Sequence, residues 1–231
     1  MLNSHYEIVE GVVENLIVFD DDVNYLANAD QFAQTAGIVS VLQAAVGAPG
    51  AVSSAQAASD SGDPVEAFTM TIGSQPIQGS FWKTTFKNGD HVKVIGSRLD
   101  GVFNAVAVTS PANRMIWMQP HCERGTSAQR KYLLRNSLLF VLAIFTLSSY
   151  LFTVPKMTFW FYLLCASSTA VLSLVITVGM SWNDLMGFAR QMTQAGSALG
   201  LDSPENINLA KSTSVMIKNG KPELPMGVYY Y

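Results

Sequence analysis

From residue 136 to residue 183 the chain carries a single charge, Lys156, beside Pro155. Residues 136–154 (NSLLFVLAIFTLSSYLFTV) and 157–183 (MTFWFYLLCASSTAVLSLVITVGMSWN) carry none. A bilayer's hydrocarbon core asks for about 20 apolar residues in helical form, rising about 1.5 Å each. Length and missing charge therefore predict a two-helix transmembrane hairpin turning at Pro155 and Lys156. Charged residues make up 13% of the 231, about half the usual share of roughly 25%, and they avoid these two segments.

The flanks orient the predicted hairpin. Arg124, Arg130, Lys131 and Arg135 stand before the first segment against Glu123. By the positive-inside rule this basic collar lies in the cytoplasm, so two spans leave both termini there. Such a collar also attracts anionic lipid. Trp182 at one end of the second segment, and Phe159, Trp160 and Tyr162 at the other, suit membrane interfaces. The N-terminus, MLNSHYEIVEGVVENL, has neither the basic start nor the apolar run of a secretory signal.

The rest reads as α+β. Residues 5–19 are rich in Val and Ile and predict one or two strands, ended by a solvated turn at Asp20, Asp21 and Asp22. Those acids lack the spacing and distal Glu of a calcium loop. Residues 65–119 hold five short alternating runs separated by turn signals, among them Asn88-Gly89 and Asp100-Gly101. They predict a small antiparallel OB-like barrel or sandwich. The domains follow: residues 1–120 β-rich, with an uncharged Ala, Gly and Ser-rich insertion at 30–60; a basic connector at 121–135; the hairpin at 136–183; an amphipathic helix and tail at 184–231. For the insertion three readings stand open: a flexible loop, a helical hairpin on a membrane or partner, or a conditional membrane element. The tail is open too, between a docked edge strand and a loose end.

Catalytic chemistry has no recognisable frame. His5, His91 and His121 are scattered, and nucleophile-elbow, phosphate-loop and zinc-helix motifs are missing. Cys122 beside His121 makes at most half a metal site, and Cys165 sits in the second apolar segment. The expectation is no enzyme, cofactor or metal. Nothing resembles the basic patch of a nucleic-acid binder. Trp82, Phe86, Phe103 and Trp117 make either an aromatic groove or a core. In the second segment Thr169, Ser173 and Thr177 recur every four residues and share one helix face. That face either packs against another helix or lines an aqueous pore.

The phrases FWKTTFKNGDHVKVIG and NAVAVTSPANRMIWMQPHCERG, with the hairpin directly after them, resemble small bacterial proteins described as type VI secretion system effectors. The likeness is sharpest over residues 81–125. It implies an antibacterial toxin, delivered into a rival cell, that inserts in the inner membrane, oligomerises and depolarises the cell through an ion-conducting pore. It makes Thr169, Ser173 and Thr177 the pore face. The partners it implies are the lipid bilayer, further copies of the chain, a cognate immunity protein and a secretion carrier. The alternative is a resident inner-membrane protein whose cytoplasmic β domain serves as a protein-binding or immunity module.

Overall fold

The computed structural model describes residues 6–23, 25, 63–99, 101–152 and 159–231; the side chains of 22, 99, 148–152, 159, 161, 162, 173, 174, 176–178, 180, 181, 183 and 184 lie outside that description. Outside it too lie the predicted 30–60 insertion and the Pro155–Lys156 turn.

Strand β1 (Glu7–Val23) organises the barrel because it bends in the middle. Its register against β2 (Asp63–Ile72) shifts between Glu14 and Ile17. At this bulge Asn15 takes φ 51°, a left-handed conformation that asparagine tolerates better than most residues. Its amide donates to Thr71 Oγ1 at 3.1 Å, and Asn88 Oδ1 accepts from Leu16 N at 2.8 Å. The bend lets the first half of β1 pair with β4 (His91–Leu99) and the second half with β2. Asp20, Asp21 and Asp22 pair with Glu66, Val65 and Pro64. The predicted turn there is part of the strand, its acids accommodated on a strand whose side chains alternate towards solvent.

Strand β2 pairs with β3 (Gln75–Phe81), and β4 with β5 (Val102–Ser110). Parallel pairing of Ile77 with Phe103 and Gln78 with Asn104 then joins β3 to β5. The result is a closed five-stranded barrel, β1-β2-β3-β5-β4, which leaves none of these strands as a free edge. Closure selects barrel over sandwich. A bulge on β5 sets which side chains face where. Ile95 pairs with Ala107 and Gly96 with Ala105, so Val106 is the extra residue. Phe103 and Ala105 point inward, the phase flips, and Val108 points inward while Ala107 faces out. Only glycine fits opposite: a Cβ on Gly96 would lie 1.8 Å from the Asn104 carbonyl oxygen.

The interior is aromatic. Phe68, Phe81 and Phe86 stack at tilted or edge-on angles with centroids 5.1 to 6.5 Å apart. Trp117 meets Phe86 edge-on, and its indole N–H donates to Thr85 Oγ1 at 3.0 Å. Phe86, Phe103 and Trp117 are thus core residues, and no groove forms from them. Strands β6 (Met115–Met118) and β7 (Val228–Tyr230) extend the sheet beyond β5, so the tail docks as an edge strand. Tyr230 N donates to Thr213 Oγ1 of helix α3 (Leu209–Lys218), which covers that edge; Asn208 caps the helix by accepting from Lys211 N.

Two long helices complete the chain, and the transmembrane hairpin predicted from residues 136–183 has to be corrected. Among the described residues, no helix is long and apolar enough to cross a membrane. Helix α1 (Thr126–Phe152) carries Arg130, Lys131 and Arg135 in its first ten residues, and the remaining 17 rise about 25 Å against a core of about 30 Å. Helix α2 (Phe159–Ala198) runs unbroken for 40 residues, so no boundary separates a span from an amphipathic helix at residue 184. Its C-terminal part packs against the barrel: Phe188, Met192 and Ala195 share a second core with Val65, Ile95, Ala107, Ile116 and Met118. The fold is a closed barrel with helices, and the two-span topology and inner-membrane placement drawn from the hairpin fall with it.

Candidate functional site

The feature that most needs an explanation is the distal half of the helix pair. α1 and α2 are joined by residues 153–158 and pack against each other, so they run antiparallel. At its root α1 buries Gln129, Leu133 and Ser137. Beyond Ser137 no described α1 side chain is buried. Leu138, Leu139 and Phe140 are all at least half exposed. Successive helical residues point about 100° apart, so these three cover most of the circumference. On α2 Leu164 and Leu172 are equally open, Trp160 is 73% exposed, and Ala166 is the buried exception. Packing on each other consumes one stripe per helix and leaves the other sides apolar and bare. Residues 136–152 and 160–182 therefore form an uncharged arm projecting from the barrel.

Three of the described hydroxyls on the arm are turned back onto it. Thr146 Oγ1 donates to the Leu142 and Ala143 carbonyls at 3.0 and 2.9 Å, Ser167 Oγ to Leu164 O at 3.0 Å, and Thr169 Oγ1 to Cys165 O at 2.9 Å. Such back-bonding satisfies the donor without water. Of the predicted pore face, Thr169 is exposed with its proton committed to its own helix, and the side chains of Ser173 and Thr177 lie outside the described residues.

The collar divides. Arg124 is tied to Glu123 at 2.6 Å, with its guanidinium 4.1 Å from the Tyr132 ring centroid. Arg135 approaches the same ring at 5.9 Å. Arg130, Lys131 and Arg135 are exposed on α1 and form no ion pair among the described residues. Arg130, Lys131 and Arg135 sit on the first three turns of the helix that enters the arm, as a basic girdle and not on an irregular connector. Arg190 is exposed on α2 at the level of residues 129 and 130, a placement that follows only from the antiparallel packing of the two helices.

Two further polar groupings, around Cys122 and around His121, lie among the described residues. Cys122 is buried where the barrel meets α2, and its thiol donates to Gln191 Oε1 at 3.2 Å. Burial pushes that thiol well above its ordinary range, with Glu123 adding to the shift, so it stays a thiol and not a nucleophilic thiolate. Burial likewise raises the phenols of Tyr6, Tyr25 and Tyr229 near it. His121 Nε2 meets Asp63 Oδ2 at 2.9 Å, and its ring lies between Trp82 and Phe188. A His–Asp pair could orient an imidazole, yet among the described residues no nucleophile stands in hydrogen-bond reach of it. Nor, among the described residues, do three His, Cys, Asp or Glu side chains converge as a metal site would need. A cleft of about 550 Å³ lies between the β6 turn and α3, lined by Arg114, Met115, Met216, Lys221 and Tyr230. It holds cations and apolar surface but no acid–base pair. No family model, curated protein or solved structure matches this chain.

Proposed function

We propose that the protein works by contact and not by catalysis: the barrel stays at a lipid surface while the arm is buried in the lipid and loosens the bilayer it enters. The observation that carries this is the run Leu138, Leu139 and Phe140, exposed on successive sides of one helix. A protein partner covers one side of a helix and meets a polar rim. Lipid surrounds a helix on all sides, and the arm has no charged rim along its length. The back-bonded hydroxyls of Thr146, Ser167 and Thr169 support the same reading, since their donors enter an apolar medium already satisfied. The reading asks for burial in lipid and not for a crossing. The resemblance to secreted effectors supplies the setting in which such an arm would do harm, as a toxin that makes a rival's membrane leak.

The test uses the purified full chain and dye-loaded lipid vesicles. Co-flotation with the vesicles and release of the dye are expected, with release rising more steeply than linearly in protein if several arms act together. No flotation with any lipid composition sinks the proposal. Flotation without release would keep the lipid contact and remove the toxin role.

A further inference from the structure

We infer that the root of the arm is an anionic-lipid site, formed by Arg130, Lys131, Arg135 and Arg190; this rests on the lipid reading above and names the lipid it selects. Its geometry follows from one hydrogen bond. Thr126 N donates to Thr193 Oγ1 at 3.0 Å, which sets the two antiparallel helices in register at that level. Arg190, three residues before Thr193 and exposed, is therefore at the level of Gln129 and Arg130, the layer in which the exposed cations of α1 begin. From Arg130 to Arg135 the helix rises about 7.5 Å. The headgroup layer on each side of a bilayer is about 5–8 Å thick. The uncharged arm begins one residue further on, at Asn136. Cations thus occupy a band of headgroup thickness directly below the segment that would lie among acyl chains.

The charges in this band are available. Glu123 is already committed to Arg124 at 2.6 Å. Asp184 is the acid that the register brings to this layer, and its side chain lies outside the described residues. Arg135 lies over the Tyr132 ring, and no carboxylate takes its N–H fork among the described residues. A guanidinium held on an aromatic face presents planar, paired donors that match a phosphate's oxygens. An acidic protein or a nucleic acid would also meet these cations. Only a lipid accounts for both the cations and the uncharged arm beginning where they end.

The test floats the full chain with vesicles of phosphatidylcholine alone and with vesicles containing phosphatidylglycerol. Each basic residue near an anionic surface strengthens binding about fivefold, so with four of them anionic vesicles should bind on the order of several hundredfold more tightly, an advantage that fades in high salt. The variant R130Q/K131Q/R135Q/R190Q should lose that advantage while still floating with phosphatidylcholine. If it fails to fold by circular dichroism, R130Q and K131Q singly should each cost about fivefold on anionic vesicles. Equal binding of the unaltered chain to both compositions overturns the girdle and leaves the lipid reading intact. Flotation with neither composition overturns both. Binding to a single-stranded oligonucleotide or to polyglutamate as tight as to anionic vesicles assigns the girdle to a different polyanion.

Discussion

The barrel and the arm are made of similar residues and treat them in opposite ways. In the barrel, Phe68, Ile77, Phe81, Phe103 and Val108 are fully buried, because period-two alternation sends every second side chain inward and closure gives the inward set a shared volume. In the arm, Leu138, Leu139, Phe140, Leu164 and Leu172 are exposed, because two helices side by side can cover only the stripe between them. Polar groups differ in the same way. Gln78 Nε2 pairs across strands with Asn104 Oδ1 at 2.6 Å, whereas the Thr146 and Thr169 hydroxyls of the arm bond within their own helix. One region is complete by itself. The other leaves Leu138, Leu139 and Phe140 uncovered.

The largest expected effect sharpens that contrast. Phe68→Ala should cost about 3–5 kcal/mol in urea unfolding, the usual range for emptying an aromatic core site. Leu139→Ala should cost no more than about 0.5 kcal/mol in buffer; a loss as large as at Phe68 would break the comparison by showing that the arm has a protein cover. At the junction, Met192→Ala should cost about 2–5 kcal/mol, since α2 there belongs to the second core. In vesicle flotation the ranking inverts: Leu139→Ala should weaken binding about thirtyfold, the transfer free energy of the deleted carbons, and Phe68→Ala should leave binding by the folded fraction unchanged.

A smaller effect is expected with pH. Cys122 and Tyr25 are fully buried acids held protonated, with pKa values raised above the ordinary 9.0 and 10.0. Below about pH 9 both states carry these protons and stability should be flat on their account. Above it the unfolded chain loses protons that the folded chain keeps, so stability should fall as pH rises. Urea midpoints at pH 8 and pH 10.5 check the sign, and a rise at the higher value would contradict the buried placement. The smallest effect concerns Thr169→Val: with the hydroxyl already bonded to Cys165 O, vesicle binding and stability should change by less than about twofold and about 0.5 kcal/mol. A large loss would show that the hydroxyl faces a polar partner.

Strands were legible wherever apolar residues alternate over short runs between turns, and β2 to β6 fall where that alternation places them. The continuation of β1 through Asp20–Asp22 was not, because three acids read as a turn until the pairing with β2 is seen to hold them extended. Helix α2 was divided in reading at Asn183 and Asp184 because polarity changes there. A helix propagates through hydrogen bonds four residues apart and is indifferent to that change. The basic girdle was visible on α1 alone.

By itself the sequence determined the short alternating strands β2 to β6 and the uncharged character of residues 136–154 and 157–183, because periodicity and charge are properties of neighbours along the chain. Three things were decided only by the tertiary structure. The β3–β5 pairing closes the barrel, the tail docks as β7, and α2 divides into a root that packs on Ile95, Ala107 and Met118 and an arm that packs on little but α1. Each depends on contacts between residues far apart in sequence, whose partners no local pattern names. A run of Leu and Phe states that water is disfavoured; which surface replaces the water is settled by what the rest of the fold leaves uncovered.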